Sequence, residues 1–291
     1  MPSTRDIRRR IKSIKSTAQI TKAMQMVASA KMRRAQQLAI NGRPYANLMN
    51  EVLAAAVQGA GDFQHPLMDT REVKRRGLIV ISTDKGLCGA LNTNLLREAA
   101  KISGDVSVIS AGRKASQWAA RAKKQLVAEF TYKDTPAFAE ARAISKFAQN
   151  LFLEGKVDEV FVVYTNYINT LTQKPETRRL LPTGRPQKLE AGVGGAHEAA
   201  ELETSDQEYK FEPDAKGVLG ALLPHYVNYQ VYQFLLEAKA SEHSARMVAM
   251  KSATDNAKQI IKDLTLEYNK LRQANITKEL LEITTAAMAM G

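Results

Sequence analysis

The stretch that decides the fold is a long run without glycine or proline, residues 3–41, which reads STRDIRRRIKSIKSTAQITKAMQMVASAKMRRAQQLAIN. Ten of its positions follow one another in steps of four and three, and eight of these ten are apolar. They are Ile7, Ile11, Ile14, Ala18, Thr21, Gln25, Ala28, Met32, Ala35 and Ala39. This spacing predicts a helix that packs against a second helix along one stripe. Ser3 and Asp6 predict where the helix starts, because both can satisfy free amides there.

A second run without glycine or proline covers 66 residues, from His225 to Met290, and predicts the partner helix. Its apolar side chains recur with an average step of about 3.6, the period of a nearly straight helix. They are Ala245, Ala249, Ala253, Ala257, Ile260, Leu264, Tyr268, Leu271 and Ala274. A compact middle joins the two runs, so we expect an antiparallel coiled coil of helices 1–58 and 213–291. The longer helix should project beyond the shorter one.

The middle of the chain alternates short apolar runs with helical stretches, which indicates an α/β layer with a mostly parallel sheet. We expect a Rossmann-like α/β domain over residues 72–182 and a surface excursion over 183–212, where glycine, proline and acidic residues accumulate. The expected strands are 77–83, 106–110, 125–130 and 157–165, and the expected helices are 92–102, 113–123 and 136–155.

Charge is concentrated at the start of the chain. The 291 residues carry a net charge of +12, and the first 50 hold eleven bases but a single acid, Asp6. Such a segment requires an acidic partner: nucleic acid, anionic lipid or an acidic protein surface. No aromatic residue precedes Tyr45 to stack on bases, and the alanine-rich stripe suits a membrane surface poorly. An acidic protein surface is favoured, and a basic coiled-coil nucleic-acid-binding protein remains the alternative.

Several classes of protein are disfavoured by composition. The single cysteine, Cys88, excludes an internal disulfide framework, and no apolar run reaches the roughly 20 residues that span a bilayer. No secretory signal is visible at the amino terminus, so we expect a soluble, cytosol-facing protein.

Catalytic and metal-binding patterns are not found. His65, His197, His225 and His243 never occur at metal-ligand spacing, and no neighbouring histidine could activate Cys88. The loop from Asp84 to Asn92 has its lysine before the first glycine, unlike a phosphate-binding loop. It is either a tight turn with amides satisfied by Asp84 or Asn92, or a contact loop involving Lys85 and Cys88. We expect no catalytic residue, cofactor or metal, although an α/β enzyme with helical arms remains a third alternative.

The end of the second helix is unusual. Residues 283–291 contain no charged side chain, which is typical either of a frayed terminus or of a tip that fills an apolar socket in other subunits. Just upstream, Arg272 and Gln273 interrupt the apolar spacing. They are either an ordinary solvated pair or donors that grip a carboxylate through parallel hydrogen bonds.

Four stretches resemble the gamma subunit of the F-type, proton-translocating ATP synthase of bacteria. They are ITKAMQMVASAKM (20–32), STDKGLCGALN (82–92), ARMVAMKSATDN (245–256) and YNKLRQANITKEL (268–280). Order and spacing agree over nearly the whole chain, apart from residues 183–212. The sequence departs locally at Thr285 and Ala286, where the family often has glycine.

The resemblance implies a rotor shaft, non-catalytic by itself, that carries rotation driven by proton flow to catalytic sites on beta subunits for ATP synthesis or hydrolysis. In the family the terminal helices stand inside a ring of alpha and beta subunits. The α/β domain meets the epsilon subunit and the membrane rotor ring, so the protein is peripheral to the membrane through its complex. By motif, Lys22 and Met24 would face the acidic lever of beta, and Arg272, Gln273 and Thr277 would bond a loop of beta.

Overall fold

The computed structural model describes residues 3–60, 64–183, 211–212 and 214–290. Most of the expected excursion over 183–212 therefore lies outside the described residues. Two helices dominate: α1 spans Thr4–Ala60 and α5 spans Ala215–Met290. The expected start of α1 is confirmed, since the Ser3 hydroxyl donates to the Asp6 carboxylate at 2.7 Å and accepts from the Asp6 amide. The chain separates into two compact units, Met1–Val27 with Met247–Gly291, and Ala28–Arg246.

Both long helices run through residues that commonly end helices. Gly42 and Pro44 interrupt the sequence pattern, yet α1 continues to Ala60, and α5 contains Pro224. The reason is tertiary packing, which outweighs local propensity. Beyond Pro44, α1 buries an apolar face against the first turns of α5. The buried side chains are Ala46, Met49, Leu53, Ala56, Leu219, Leu223, Tyr226 and Tyr229.

The first unit is an antiparallel pair of helices. Thr21 Oγ1 lies 2.7 Å from Thr254 Oγ1, and the Arg8 guanidinium lies 5.8 Å from the centre of the Tyr268 ring. Residue numbers therefore increase along α1 in the direction in which they decrease along α5, so the two helices are antiparallel. The predicted stripe of α1 is buried or half-buried at each of its positions in this unit.

The stripe of α5 in this unit differs from the prediction at two positions, because Ile260 and Ala274 are exposed, and it gains Met250 and Thr254. Ile260 is 46% exposed, and its neighbour Ile261 is half-buried in its place. The inward positions alternate steps of four and three, which average 3.5 residues and impose a left-handed supercoil rather than a straight helix. They are Met250, Thr254, Ala257, Ile261, Leu264, Tyr268 and Leu271, and the predicted Ala249 and Ala253 are half-buried beside them.

The second unit contains a five-stranded sheet in the order β3-β2-β1-β4-β5. The strands are β1 (Arg75–Ile81), β2 (Asp105–Ala111), β3 (Gln125–Phe130), β4 (Glu159–Tyr167) and β5 (Gln173–Leu181). β1 pairs in parallel with β2 and β4, β2 does so with β3, and β5 is antiparallel to β4. The expected mostly parallel α/β sheet is confirmed. β5 was not predicted because its sequence, QKPETRRLL, is polar and contains Pro175, as edge strands often do.

Helices cover both faces of the sheet. One face carries α2 (Leu91–Ala100) and α3 (Arg113–Arg121), whose Leu95 and Ala115 are fully buried against the strands. The other face carries α4 (Phe138–Leu153) and the portion of α5 around Val231, which share the largest apolar core. α5 is therefore an integral layer of the α/β unit, and this position brings it to the carboxyl edge of the strands.

Candidate interaction surfaces

The crevice where α/β sheets usually bind ligands is occupied by α5. The strand order reverses between β1 and β4, and ligands bind at the carboxyl ends of such strands. Here the Ser241 hydroxyl donates to the carbonyl of Thr165 at 2.9 Å, just beyond the middle of β4. Beside β1, Arg246 donates to the carbonyls of Lys85 and Gly86 at 3.4 and 3.3 Å. The chain's own helix thus takes the place of a small ligand.

The amino terminus of α3, which could attract an anion, is closed by the loop after β1. The amide of Arg113 donates to Asp84 Oδ1 at 3.0 Å, and the amide of Ala115 donates to Ser82 Oγ at 2.8 Å. The approach is tight: Gly112 has φ +104, and a Cβ there would lie 2.3 Å from the Ser82 carbonyl oxygen. The free amides at this end of α3 are therefore hydrogen-bonded to side chains of the same chain.

Within the same loop, Cys88 faces inward and Lys85 faces outward. Cys88 is 2% exposed, packs with Leu91 and Ala245, and accepts a hydrogen bond from Asn92 Nδ2 at 3.3 Å. Burial raises the pKa of this thiol, which further reduces its reactivity. The loop can therefore offer Lys85 to a partner, while Cys88 holds the loop against α5.

A buried group of charges, missed by the sequence analysis, holds α5 to its neighbours. Glu242 shares its two oxygens between Lys239 Nζ at 3.0 Å and Arg246 Nη1 at 2.8 Å. Lys239 also lies 3.7 Å from Asp134, which accepts a hydrogen bond from Lys31 of α1. The signal was present as ionisable residues three and four apart in an otherwise apolar helix.

His243 lies beside these charges and is 2% exposed. Burial lowers its pKa to about 4, although the carboxylates of Glu242 and Asp134 act in the opposite direction. Neither ring nitrogen has a hydrogen-bond partner among the described residues. Across the described ranges, no group of three or more His, Cys, Asp or Glu side chains could hold a metal ion.

In the first unit, the expected contact residues of α1 lie on a mixed basic and apolar surface. Lys22 is exposed and Met24 is half-buried. Beside them, Ile20 and Val27 are 60% and 55% exposed. No carboxylate of the described residues pairs with Lys22. This surface can receive an acidic partner that also has apolar side chains.

The distal part of α5 is exposed throughout. Every residue from Arg272 to Ala289 is exposed, including Gln273, and Thr277, whose hydroxyl donates to the Gln273 carbonyl at 3.0 Å. Large apolar side chains are exposed with them: Ile276, Leu280, Leu281, Ile283 and Met288. The predicted projection of the longer helix beyond its partner is thus present within this unit.

In the described part of the chain, no helix is long and apolar enough to cross a membrane. A filled ligand crevice combined with exposed helical faces defines a class of protein that works by contacting other chains.

Comparison with known proteins specifies the class. The ATP synthase family model matches residues 3–290. The ATP synthase gamma chain of Opitutus terrae is 50% identical, with 99% of each chain covered, and that of Methylacidiphilum infernorum is 47% identical, with each chain covered in full. A chain of the central stalk and c-ring structure of the Tetrahymena thermophila mitochondrial ATP synthase is 26% identical, with a TM-score of 0.59 over 80% of this chain and 99% of that one. The chain belongs to the ATP synthase gamma-chain family.

Family membership decides between the alternatives left open by the sequence. The gamma chain is a non-catalytic subunit of the ATP synthase complex, and catalysis lies in the beta subunits. The comparisons give no support to the nucleic-acid-binding alternative.

Proposed function

We propose that this chain is the central rotor shaft of a bacterial F-type ATP synthase, turned by proton flow and acting on the catalytic sites of the beta subunits. One observation carries the proposal: α5 exposes every residue from Arg272 to Ala289, large apolar side chains included. Leaving such side chains in water is unfavourable by about 25 cal/mol per Å² of apolar area. A helix of this kind is stabilised when other subunits surround it.

The mechanism follows from differential contact. The two helices of the first unit present different residues to their surroundings. The surface near Lys22 on α1 is basic and apolar, whereas near Leu280 on α5 leucines stand between acidic and basic side chains. Each beta subunit around such an asymmetric shaft meets a different surface at a given shaft angle. Rotation then shifts the population of beta conformations, because a contact stabilises only the conformation that it fits.

We assign two contact sets to this mechanism. Lys22 and Met24 face the acidic lever of beta, where the unpaired ammonium of Lys22 meets carboxylates. Arg272, Gln273 and Thr277 bond a loop of beta further along α5, with the guanidinium donating two parallel hydrogen bonds to a carboxylate. Lys85 is a third contact at the loop after β1, and Cys88 supports that loop from inside.

The remaining partners can be assigned to the segments into which the sequence divides the chain. We assign residues 1–58 and 213–291 to the shaft and residues 72–182 to the α/β domain that meets the epsilon subunit and the membrane rotor ring. The remaining segment of this division, 183–212, lies mostly outside the described residues. The protein is peripheral to the membrane through these partners, at the cytoplasmic face of the bacterial inner membrane. No cofactor takes part in this role.

Reconstitution with purified alpha and beta subunits tests the proposal. Adding the chain should promote assembly of the ring into one complex and raise its ATP hydrolysis well above that of alpha and beta alone. If assembly and hydrolysis are the same with and without the chain, the proposed function is wrong.

A further inference from the structure

A series of alternating charges crosses the α/β unit from α1 to the loop after β1. Lys31 of α1 donates to one oxygen of Asp134, and the other oxygen lies 3.7 Å from Lys239 Nζ. Lys239 pairs with Glu242 at 3.0 Å, and the second oxygen of Glu242 accepts from Arg246 at 2.8 Å. We call these five residues the charge relay. It contains three positive and two negative charges, so each carboxylate lies between two cations.

The relay ends on the backbone of the loop. Arg246 Nη2 donates to the carbonyls of Lys85 and Gly86 at 3.4 and 3.3 Å. Both bonds are longer than the roughly 2.7–3.2 Å of ordinary N–H···O hydrogen bonds, and they are correspondingly weak. One guanidinium therefore joins a strong ion pair with Glu242 to a weak attachment of the loop.

The middle of the relay is buried and its far end is exposed. The side chains of Lys239, Glu242 and Arg246 are 3%, 6% and 13% exposed, whereas those of Lys31 and Asp134 are 45% and 51% exposed. Water screens the buried charges weakly, so each of them depends strongly on its neighbours. A change at the exposed end can therefore act on the loop without removing any core side chain.

Two other titratable groups lie against the relay. The Tyr132 ring is centred 4.6 Å from Lys239 Nζ, and burial raises the pKa of its hydroxyl well above the ordinary value. Burial lowers the pKa of His243 to about 4. Both groups are neutral at pH 8, so they add no charge to the relay there.

The loop itself is strained and covers a buried thiol. Leu87 has φ +63, a left-handed conformation that is uncommon for a large side chain and persists where surrounding contacts impose it. The next residue, Cys88, is 2% exposed and packs with Leu91 and Ala245. Opening of the loop relieves the strain at Leu87 and uncovers the Cys88 thiol.

We propose that the charge relay is a latch that holds the loop after β1 closed against α5. Lys31 and Asp134 are positioning residues in this latch, because they act on the loop through Arg246. The inference goes beyond the proposed function and does not depend on it, since the latch lies within one chain.

The alternation of charge gives the two positioning residues opposite effects. Without the Asp134 charge, Lys239 has Glu242 as its only carboxylate. It then competes with Arg246, whose more exposed guanidinium moves into water and releases the loop. Without the Lys31 charge, Asp134 pairs with Lys239 alone. Glu242 is then left to Arg246, which holds the loop more firmly.

The single cysteine of the chain, Cys88, reports the opening of the loop. Each folded, full-length chain is treated at pH 8 with iodoacetamide, an uncharged reagent, and the rate of alkylation is followed by mass spectrometry. Asp134→Asn should react at least tenfold faster than the wild-type chain, whereas Lys31→Gln should react about threefold more slowly. The variant with both changes should react at about the wild-type rate, because its relay again has one excess positive charge.

Asp105→Asn is the matched control. Asp105 is also 51% exposed and pairs with Arg75 at 2.8 Å, outside the relay, so its substitution should leave the rate unchanged. Arg246→Gln should react at least as fast as Asp134→Asn. Adding Asp134→Asn to Arg246→Gln should cause little further increase, because the effect of Asp134 passes through Arg246.

Three outcomes overturn the inference. Unchanged alkylation of Asp134→Asn shows that Asp134 does not act on the loop. Equal acceleration by Asp134→Asn and Lys31→Gln shows a general loss of stability instead of a latch, and urea unfolding of both variants measures that loss directly. Full additivity of Asp134→Asn with Arg246→Gln shows that the two residues act separately.

Discussion

At the scale of single residues, the position of α5 in the ligand crevice depends on buried charges that balance one another. Glu242 has a positive partner on each oxygen, Lys239 and Arg246, and Asp134 adds a second negative charge beside Lys239. A buried ion pair becomes costly when one partner is removed, because the other charge is then uncompensated. The sequence contains these residues, but it could not predict that they meet Asp134, which lies more than a hundred positions away.

His243 makes the stability of this arrangement depend on pH. Its pKa is lowered to about 4 in the folded chain from the ordinary 6.5, so the unfolded chain binds the extra proton first as pH falls. The contribution is complete above about pH 6.5 and declines toward pH 4, by about 3 kcal/mol in total at 1.36 kcal/mol per pKa unit. Lys239 and Arg246 oppose protonation, and Glu242 and Asp134 favour it.

Urea unfolding at pH 7 and at pH 5 measures this effect. The wild-type chain should lose more stability between the two pH values than His243→Gln, which keeps a polar side chain that does not titrate. Carboxylates that titrate in this range act on both proteins and cancel in the comparison. Equal losses would show that His243 is not the group responsible.

The gripping role of Arg272 is also decided at this scale. Arg272→Ala with Gln273→Ala should leave the stability of the isolated chain unchanged, because both side chains are exposed. In the reconstituted complex the double variant should lower assembly or ATP turnover by tenfold or more, since a charge-assisted hydrogen bond contributes about 1.5–3 kcal/mol. Lys270→Ala, also exposed, is the matched control. Full activity of the double variant would remove the gripping role from these residues.

At the scale of elements, the sequence predicted each long helix but not the exact face of α5. The average spacing of apolar residues pointed to Ile260, whereas the structure turns Ile261 inward. Two adjacent isoleucines satisfy either spacing, and only the stripe on α1 decides between them. The sequence analysis missed β5 for a similar reason. Its pairing with β4 is decided by tertiary structure, and its own residues carry little strand signal.

The two isoleucines provide a matched pair of substitutions. In the isolated chain, Ile261→Ser should lower the free energy of unfolding of the helical pair by about 1–2 kcal/mol, because it removes apolar area from the interface with α1. Ile260→Ser should change it by less than about 0.5 kcal/mol, as expected for an exposed position. Thermal unfolding followed by circular dichroism at 222 nm compares the two. A larger effect at Ile260 would show that the spacing near 3.6, and not the 3.5 repeat, describes this pair.

At the scale of the whole molecule, the chain combines an α/β unit whose ligand crevice is occupied by its own helix with a helical unit whose outer faces are exposed. Its exposed apolar side chains are removed from water only when other subunits cover them. The sequence could indicate this division through its two runs without glycine or proline. It could not show that α5 belongs to both units, first as a layer of the α/β core and then as one of the two helices of the coiled coil.

Direct observation of rotation tests the central claim. The reconstituted complex of alpha, beta and this chain is fixed to a surface through beta, and a bead is attached to the exposed face of the α/β unit. With ATP present, the bead should turn in one direction and stop once per revolution for each beta subunit of the ring. A bead that remains still while the same complexes hydrolyse ATP at full rate would contradict the account of this chain as a rotating shaft.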